Sequence, residues 1–157
     1  MNCLSMQEKA VIISALVEGN SIRSISRMTG HHKGTIARLL VEVGQNCQRL
    51  MDYSMIGLPC QTIQADEIWC YVGKKQGHIT PKERVEREDL GDQFIYVALD
   101  ADSKLIPCYY IGKRGTYSTE QFIVDLRKRL SGKIQLTTDA YKPYKDVVRH
   151  AFGRDID

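Results

Sequence analysis

The chain has 157 residues, of which 43% are hydrophobic and 26% are charged. This length suits one ordinary domain, or a small head followed by a modest body, and the composition predicts a packed core rather than disorder. No apolar run approaches the roughly 20 residues that a membrane span needs, and no signal peptide is visible. No membrane partner is therefore expected.

The cysteines argue against a zinc ribbon and against a disulfide framework. Their number, 5, is odd, and the sequence contains no Cys-x-x-Cys motif. Cys70 and Cys108 fall within apolar runs and are predicted to be small core residues. The remaining cysteines are Cys3, Cys47 and Cys60. A reducing, cytoplasmic setting fits this usage best.

The charge of the chain is concentrated in its first third. Up to Met51 there are 6 Lys and Arg residues against 3 Asp and Glu residues, whereas the rest contains 16 of each. The whole formal excess of +3 therefore lies where a nucleic-acid footprint would belong. A slightly basic surface that arose by chance is the alternative.

Three short helices are predicted in this basic head. Apolar residues recur at helical spacing over residues 6–17, 22–28 and about 33–43. Gly19 ends the first helix, and Gly30 turns the chain between the second and the third. Two short helices, a glycine turn and a third amphipathic helix match the helix-turn-helix layout of DNA-binding proteins. A plain three-helix bundle with solvated Arg and Lys side chains is the alternative.

In the helix-turn-helix layout, the third helix enters the major groove of DNA. The side chains predicted to face the groove are His32, Lys33, Thr35 and Arg38. Lys33 and Arg38 can meet phosphate or guanine, and Thr35 can meet phosphate or a thymine methyl group. Arg23 and Arg27, on the second helix, are predicted to face the DNA backbone.

After the head, the patterns predict strands and helices in the order β-β-β-α-β-α. Residues 52–62 contain Gly57 and Pro59 without a clean period and are interpreted as a linker. The predicted strands cover residues 63–72, 94–99, 105–112 and 133–138. A helix capped by Ser118 and Gln121 should lead to the last strand, and a second helix should follow it. Pro107 cannot donate to a strand ladder, so the third strand is expected at the sheet edge.

Two aspartates stand at informative places in this succession. Asp66 lies within the first apolar strand, and Asp139 ends the fourth. A carboxylate buried in an apolar strand is unfavourable unless it is paired, and a divalent metal is a common partner. A right-handed crossover can place the fourth strand beside the first, which would bring both carboxylates together. Two Mg²⁺ ions about 3.5–4 Å apart could then activate a water or a DNA 3′-hydroxyl.

Each aspartate also has a purely structural explanation. Asp66 could be a salt-bridged strand residue, and Asp139 a helix cap or a turn residue. Their occurrence together, in this strand order and behind a DNA-binding head, favours metal chemistry. Glu67 alternates to the opposite face of the strand and is a weaker ligand candidate.

Several runs of the sequence resemble transposases of the insertion-sequence-one type. They are ALVEGNSIR (15–23), QADEIW (64–69), ALDADSKL (98–105) and LTTDAYKPY (136–144). The resemblance implies a DDE transposase with a ribonuclease-H-like catalytic domain that depends on Mg²⁺ or Mn²⁺. It also implies binding to double-stranded DNA, at the inverted-repeat ends of the element and at the target. The chain is expected to act as a homo-oligomer on DNA, in the cytoplasm and close to the nucleoid. By carry-over, Asp66 and Asp139 match the first two catalytic, metal-binding aspartates.

One departure from the family pattern changes the expectation. The third carboxylate of the family is a Glu on a helix beyond the fifth strand, but the last glutamate of this chain is Glu120, before Asp139. Asp155 and Asp157 would fall at the start of the fifth strand. The predicted fold is thus α/β, with a helix-turn-helix head (1–51), a linker (52–62) and an incomplete ribonuclease-H-like mixed-sheet domain (63–157). The chain is expected to be a transposase subunit that cuts and joins DNA when the missing piece is supplied elsewhere and that is inactive alone. A non-catalytic DNA-binding fragment that inhibits transposition is the alternative, and a generic ribonuclease-H-like nuclease is a more distant one.

Overall fold

A computed structural model describes residues 4–156 of the chain. The backbone forms two compact units that divide between Asp52 and Tyr53. Cys3 and Asp157, which entered the expectations above, lie outside the described residues. The described part contains no helix long and apolar enough to cross a membrane.

In the described residues, the first unit contains three α-helices, α1 (Met6–Val17), α2 (Ile22–Thr29) and α3 (Lys33–Ser54), and the last of these ends two residues beyond Asp52. Each helix contributes to one small apolar core, formed by Ile12, Ile25, Ile36 and Leu39. Between α2 and α3, Gly30 adopts a φ of 74°, a left-handed conformation that glycine reaches without a Cβ clash. The three helices begin where the spacing of apolar residues predicted, since the residues that pack inward recur every three or four positions.

Helix α3 is longer than predicted. It was expected to end near Val43, but it continues to Ser54, so that the segment interpreted as a linker begins inside the helix. Residues 44–54 have no clear apolar stripe, yet they include Gln, Arg, Leu and Met, which form helices readily. Leu40, which follows the buried Leu39, is exposed. Helix propensity therefore extends α3 beyond the residues of the apolar stripe.

The described part of the second unit has four β-strands and three further α-helices. The strands are β1 (Thr62–Val72), β2 (Gly91–Asp100), β3 (Tyr109–Gly112) and β4 (Gln135–Thr138). The helices are α4 (Pro81–Glu86), α5 (Thr116–Arg129) and α6 (Lys142–Phe152), and a short 3₁₀ turn covers Gln76–His78. Apart from the short helix α4 between β1 and β2, the elements follow the predicted order β-β-β-α-β-α, and the mixed α/β fold class is confirmed.

The sheet has the strand order β3-β2-β1-β4. The first three strands form an antiparallel meander, whereas β4 runs parallel to β1 after the crossover through α5. β3 lies at the edge, as Pro107 predicted, although it starts only at Tyr109. Beyond β4, an isolated parallel bridge joins Ile134 to Ile156. The fourth strand thus lies beside the first, where a right-handed crossover can place it.

The predicted cap of α5 is wrong. The helix starts at Thr116, with Gly115 as its N-cap residue, so Ser118 and Gln121 lie inside it. Ser118 is buried and faces the sheet, and the Thr119 hydroxyl donates a hydrogen bond to the Gly115 carbonyl. The Ser-x-x-Gln spacing was present, but the packing of the first turn against the sheet placed the helix start earlier.

The two faces of the sheet differ in their surroundings. The covered face carries Ile63, Ala65, Tyr96 and Ala98, which are buried in one core with apolar residues of α5 and α6. The open face carries Asp66 and Ile68 of β1 and Ile111 of β3, all exposed to solvent. Because side chains alternate along a strand, Asp66 and Glu67 project from opposite faces.

Candidate functional site

Asp66 and Asp139 lie side by side on adjacent parallel strands. β1 pairs with β4 from Thr62 opposite Gln135 to Ala65 opposite Thr138, and each aspartate is the next residue after the last pair. Neighbouring strands are about 4.8 Å apart, so the two backbones are close at this level of the sheet. Both residues line one cavity of about 450 Å³ on the open face.

The premise that these carboxylates are buried is wrong. Asp66 and Asp139 are both exposed, because Asp66 belongs to the open face and Asp139 follows the end of β4. No desolvation penalty therefore demands a cation at this site. What the structure supplies instead is proximity of two acidic groups at one solvent-accessible cavity.

Hydrogen bonds orient both aspartates. Asp66 Oδ1 accepts a hydrogen bond from the backbone N–H of Glu67 at 2.7 Å. Asp139 Oδ1 accepts from the Tyr141 N–H at 2.9 Å, in the turn that leads into α6. Asp139 Oδ2 faces Arg114, whose Nη2 lies 3.4 Å away. The Asp139 carboxylate is thus held at both oxygens.

Arg114 is the centre of an ionic cluster on the covered-face side of the site. The same Nη2 atom that contacts Asp139 also lies 3.0 Å from Glu67 Oε2. The guanidinium carbon stands 4.1 Å from the centre of the Tyr141 ring and 5.5 Å from that of Phe94. Burial opposes its charge, but the hydrogen bond to Glu67 and the nearby carboxylates raise the pKa of Arg114 above its ordinary value.

Glu67 brings a buried carboxylate into this cluster. Its side chain is only 3% exposed, and Oε1 is buried without a hydrogen-bond partner among the described residues. The Tyr144 hydroxyl on α6 is also buried without a partner. Burial first, and then the neighbouring Glu67 carboxylate, raise the pKa of Tyr144 above its ordinary value. The buried Glu67 carboxylate thus forms its ion pair with Arg114.

The carboxylates of Asp66 and Asp139 at the cavity are ligands of the type that a hard divalent cation takes. Mg²⁺ is commonly held by one or two carboxylates, with waters or substrate phosphates at its other positions. Asp66 and Asp139 provide two such carboxylates, and each oxygen retains a lone pair beside its hydrogen bond. Within residues 4–156, no group of three His, Cys, Asp or Glu side chains could hold a metal ion. The acidic site therefore consists of two aspartates.

Sequence reasoning missed the Arg114 cluster. Arg114 is separated from Glu67 by 47 positions, and nothing in the local pattern of a short loop connects the two. A partial signal was present in Glu67 itself, because a carboxylate on the same strand face as Ile63 and Ala65 needs a partner. The Arg in the loop that follows the edge strand is the basic residue that meets this need.

In the first unit, the residues predicted to contact DNA are mostly exposed. Lys33, Arg38, Arg23 and Arg27 are exposed, and Thr35 is half-buried at the start of α3. His32 Nδ1 accepts a hydrogen bond from the Gly34 N–H at 3.1 Å, which helps to satisfy the first turn of α3. His31 is half-buried, and its Nε2 lies 3.4 Å from Glu8 Oε1. The basic side chains are available to a ligand.

Comparison with solved structures finds distant likenesses. The chain is similar to a chain in the "Crystal structure of the Mos1 Strand Transfer Complex", with 14% identity, a TM-score of 0.39 and coverage of 98% of this chain and 57% of that chain. It is also similar to a chain in the "Crystal structure of a pre-cleavage Mos1 transpososome", with 11% identity, a TM-score of 0.39 and coverage of 100% and 60%. This chain thus spans less than two thirds of either one. No protein-family profile and no curated protein matches it.

Proposed function

We propose that the second unit belongs to a metal-dependent enzyme that cleaves and joins DNA strands, of the DDE transposase type, and that residues 1–51 bind the duplex ends of an insertion sequence. The observation that supports the catalytic part is the alignment of Asp66 and Asp139 on adjacent parallel strands at one cavity. The resemblance of the surrounding runs to insertion-sequence-one transposases points the same way.

Asp66 and Asp139 are the residues that would hold Mg²⁺ or Mn²⁺. When bound, such an ion activates a water or a DNA 3′-hydroxyl and stabilises the leaving oxygen. The chain's own contribution is to hold the two carboxylates in place. The Glu67 N–H orients Asp66, and the Tyr141 N–H with Arg114 orients Asp139. Hydrogen bonds of this kind are how proteins orient metal ligands.

The exposed basic side chains of the first unit support DNA binding. Lys33 and Arg38 project from the first part of α3, where a recognition helix contacts base edges and phosphates. Arg23 and Arg27 are exposed on the neighbouring α2. In this proposal, Arg38 and Lys33 contact guanine or phosphate, and the arginines of α2 contact the DNA backbone.

A non-catalytic role is the second candidate. The observation that favours it is that the described residues contain no group of three potential metal ligands. With two aspartates, stabilisation of the in-line transition state would be incomplete. The chain would then occupy element ends through its basic head and inhibit transposition.

Duplex binding tests the head. Arg38→Ala should weaken binding to the element's end by about 1–3 kcal/mol if Arg38 reads a base, whereas Lys33→Ala should weaken all duplexes alike and lower the salt dependence. Arg49→Ala is the matched control, because Arg49 is about 16 Å further along the same helix at 1.5 Å per residue. Unchanged binding of both Arg38→Ala and Lys33→Ala at moderate salt would contradict the recognition-helix assignment.

A strand-transfer and nicking assay separates the two candidates. The substrate carries the element's ends, and Mg²⁺ or Mn²⁺ is supplied. We expect the 157-residue chain alone to bind this DNA without cleaving or joining it, because two aspartates leave the stabilisation of the transition state incomplete. Robust metal-dependent cleavage that is lost in Asp66→Ala, and kept in the control Asp102→Asn in an exposed turn, would show that two aspartates suffice.

A further inference from the structure

Two aromatic side chains at the far end of β1 are exposed although they project from the covered face. Trp69 is 46% exposed and Tyr71 is 49% exposed. Their ring centroids are 5.7 Å apart, at an interplanar angle of 41°. Large aromatic rings are usually buried, and adjacent exposed rings commonly mark a binding surface. The helices that cover Ile63 and Ala65 do not bury this end of the strand.

A third ring and two cations adjoin this pair. Phe94 stands directly opposite Trp69 in the strand register, and it completes what we term the aromatic patch, Trp69, Tyr71 and Phe94. Lys75 Nζ lies 5.5 Å from the centre of the Trp69 ring, and the Arg114 guanidinium lies at the same distance from the Phe94 ring. Flat apolar faces flanked by cations suit a ligand that has both π-faces and negative charges.

The other charged side chains around the patch make contacts of their own. Asp92, opposite Tyr71, accepts a hydrogen bond from the Gln76 N–H, and Glu83 is ion-paired with Lys74 at 2.6 Å. Lys113 donates to the carbonyl oxygens of Leu90 and Asp92. Lys75 is exposed in the loop that follows β1. The positive charge of Lys75 is therefore available beside the rings.

The patch lies close to Asp139, although it projects from the face of the sheet opposite to the one that carries Asp66. Glu67, which is ion-paired with Arg114, is two residues before Trp69 on the same strand, and thus about 7 Å away along the sheet. Arg114 contacts both the Asp139 carboxylate and the Phe94 ring. A nucleotide stacked on the patch would thus be a near neighbour of a strand held at Asp139.

We propose that the aromatic patch binds unpaired nucleotides of a DNA strand, with a base stacked on Trp69 and Tyr71 and with Lys75 beside the phosphate. Aromatic platforms with neighbouring cations bind single strands with little sequence preference, because every base has a π-face. The inference rests on the proposed function for its biological setting, since strand cleavage and joining at Asp66 and Asp139 expose unpaired ends. The stacking site itself is a physical claim about the patch.

Intrinsic fluorescence tests this site directly, because Trp69 is the sole tryptophan of the chain. Titration of the full chain with a short oligo-dT strand should quench and shift its emission, whereas a blunt duplex should not. Tyr71→Ala should weaken the affinity for oligo-dT roughly 5- to 100-fold, as expected for the loss of a stacking partner. Tyr71→Phe should retain the affinity, and Lys75→Ala should lower the salt dependence.

Tyr109→Ala is the control, because Tyr109 is a comparably exposed ring opposite Val97 on the open face. The proposal would be overturned if oligo-dT left the Trp69 emission unchanged, or if a duplex quenched it equally. It would also be overturned if Tyr71→Ala had the circular dichroism spectrum of the wild type and an unchanged affinity for oligo-dT. Duplex binding by the head is measured separately with a labelled duplex, so its failure is scored apart from failure of the patch. If Tyr71→Ala does not fold, the test rests on Lys75→Ala, because Lys75 is an exposed loop residue. An unchanged salt dependence of oligo-dT binding in that variant would then overturn the proposal.

Discussion

Replacement of Arg114 by Met is expected to leave a buried carboxylate without its ion-pair partner. Glu67 is 3% exposed and Arg114 is 41% exposed, with 3.0 Å between Nη2 and Oε2. Methionine keeps most of the side-chain length and apolar area over Tyr141, while it removes the charge and all the donors. The variant therefore isolates the electrostatic contribution of the cluster.

The expected loss of stability is about 2–3 kcal/mol. A buried charged acceptor left unsatisfied is destabilising by about 1–3 kcal/mol, and a fully buried pair that loses one partner by about 3–5 kcal/mol. Because Arg114 is partly solvated, the lower range applies. Loss of the cation–π contact with Tyr141, at 4.1 Å, adds about 0.5–1 kcal/mol.

Urea unfolding followed by Trp69 emission measures this loss in the unit that contains the cluster. With a slope of about 1–3 kcal/mol per molar urea, the midpoint of Arg114→Met should fall by roughly 1–2 M. The double variant with Glu67→Gln should recover part of the loss, since it removes the unpaired charge as well. A coupling energy near zero in this double-mutant cycle, or an unchanged midpoint in Arg114→Met, would refute the ionic cluster.

Two further outcomes concern the loop between β1 and β2. Gly91 has a φ of 90°, and an added Cβ would collide with the Gln76 and Ile79 side chains. Gly91→Ala should therefore destabilise the second unit by about 2 kcal/mol or more, which would be measured as a lower urea midpoint. The hydrogen bond from Lys74 lowers the pKa of Glu83 to about 2 from 4.5, so its stabilisation is complete above pH 4.5 and is lost as the pH falls toward 2. The gap in urea midpoint between wild type and Glu83→Gln should therefore be constant above pH 5 and close between pH 4.5 and 2; a gap that is the same at pH 2.5 and pH 7 would contradict this assignment.

The sheet was predictable because its signals are local. Continuous apolar runs indicated β1 and β2, and Pro107 placed the third strand at the edge. A right-handed crossover could then place β4 beside β1, as the structure shows, and bring Asp66 near Asp139. Each of these inferences needs only a short window of sequence and a general rule of topology.

The burial of the site was not predictable from the same signals. Alternation separates Asp66 from Glu67, but it does not say which face of the sheet the helices will cover. The covered face turned out to be that of Glu67, so the carboxylate that needs a partner is Glu67 rather than Asp66. Its partner, Arg114, comes from a loop distant in sequence, and only the folded topology brings the two together.

The ends of α3 and α5 show a similar limit. Periodicity in α3 stops near Val43, yet residues of good helix propensity carry the helix on to Ser54. In α5 the spacing of Ser118 and Gln121 fits a capping box, but packing of Ser118 against the sheet moved the start to Thr116. Helix ends depend on local propensity and on tertiary contacts together, which a spacing rule does not weigh.

Binding of Mn²⁺ to the chain, followed by the electron paramagnetic resonance signal of the free ion, tests the central claim most directly. If Asp66 and Asp139 form one metal site, Asp66→Asn and Asp139→Asn should each weaken binding about 10-fold or more, in line with the loss of one of two carboxylate ligands. Because both aspartates would bind the same ion, the affinity of the double variant for Mn²⁺ should fall by less than the product of the two single effects. The control Asp102→Asn should bind Mn²⁺ as the wild type does. Equal Mn²⁺ binding by wild type, Asp66→Asn and Asp139→Asn would contradict a shared metal site at these two aspartates.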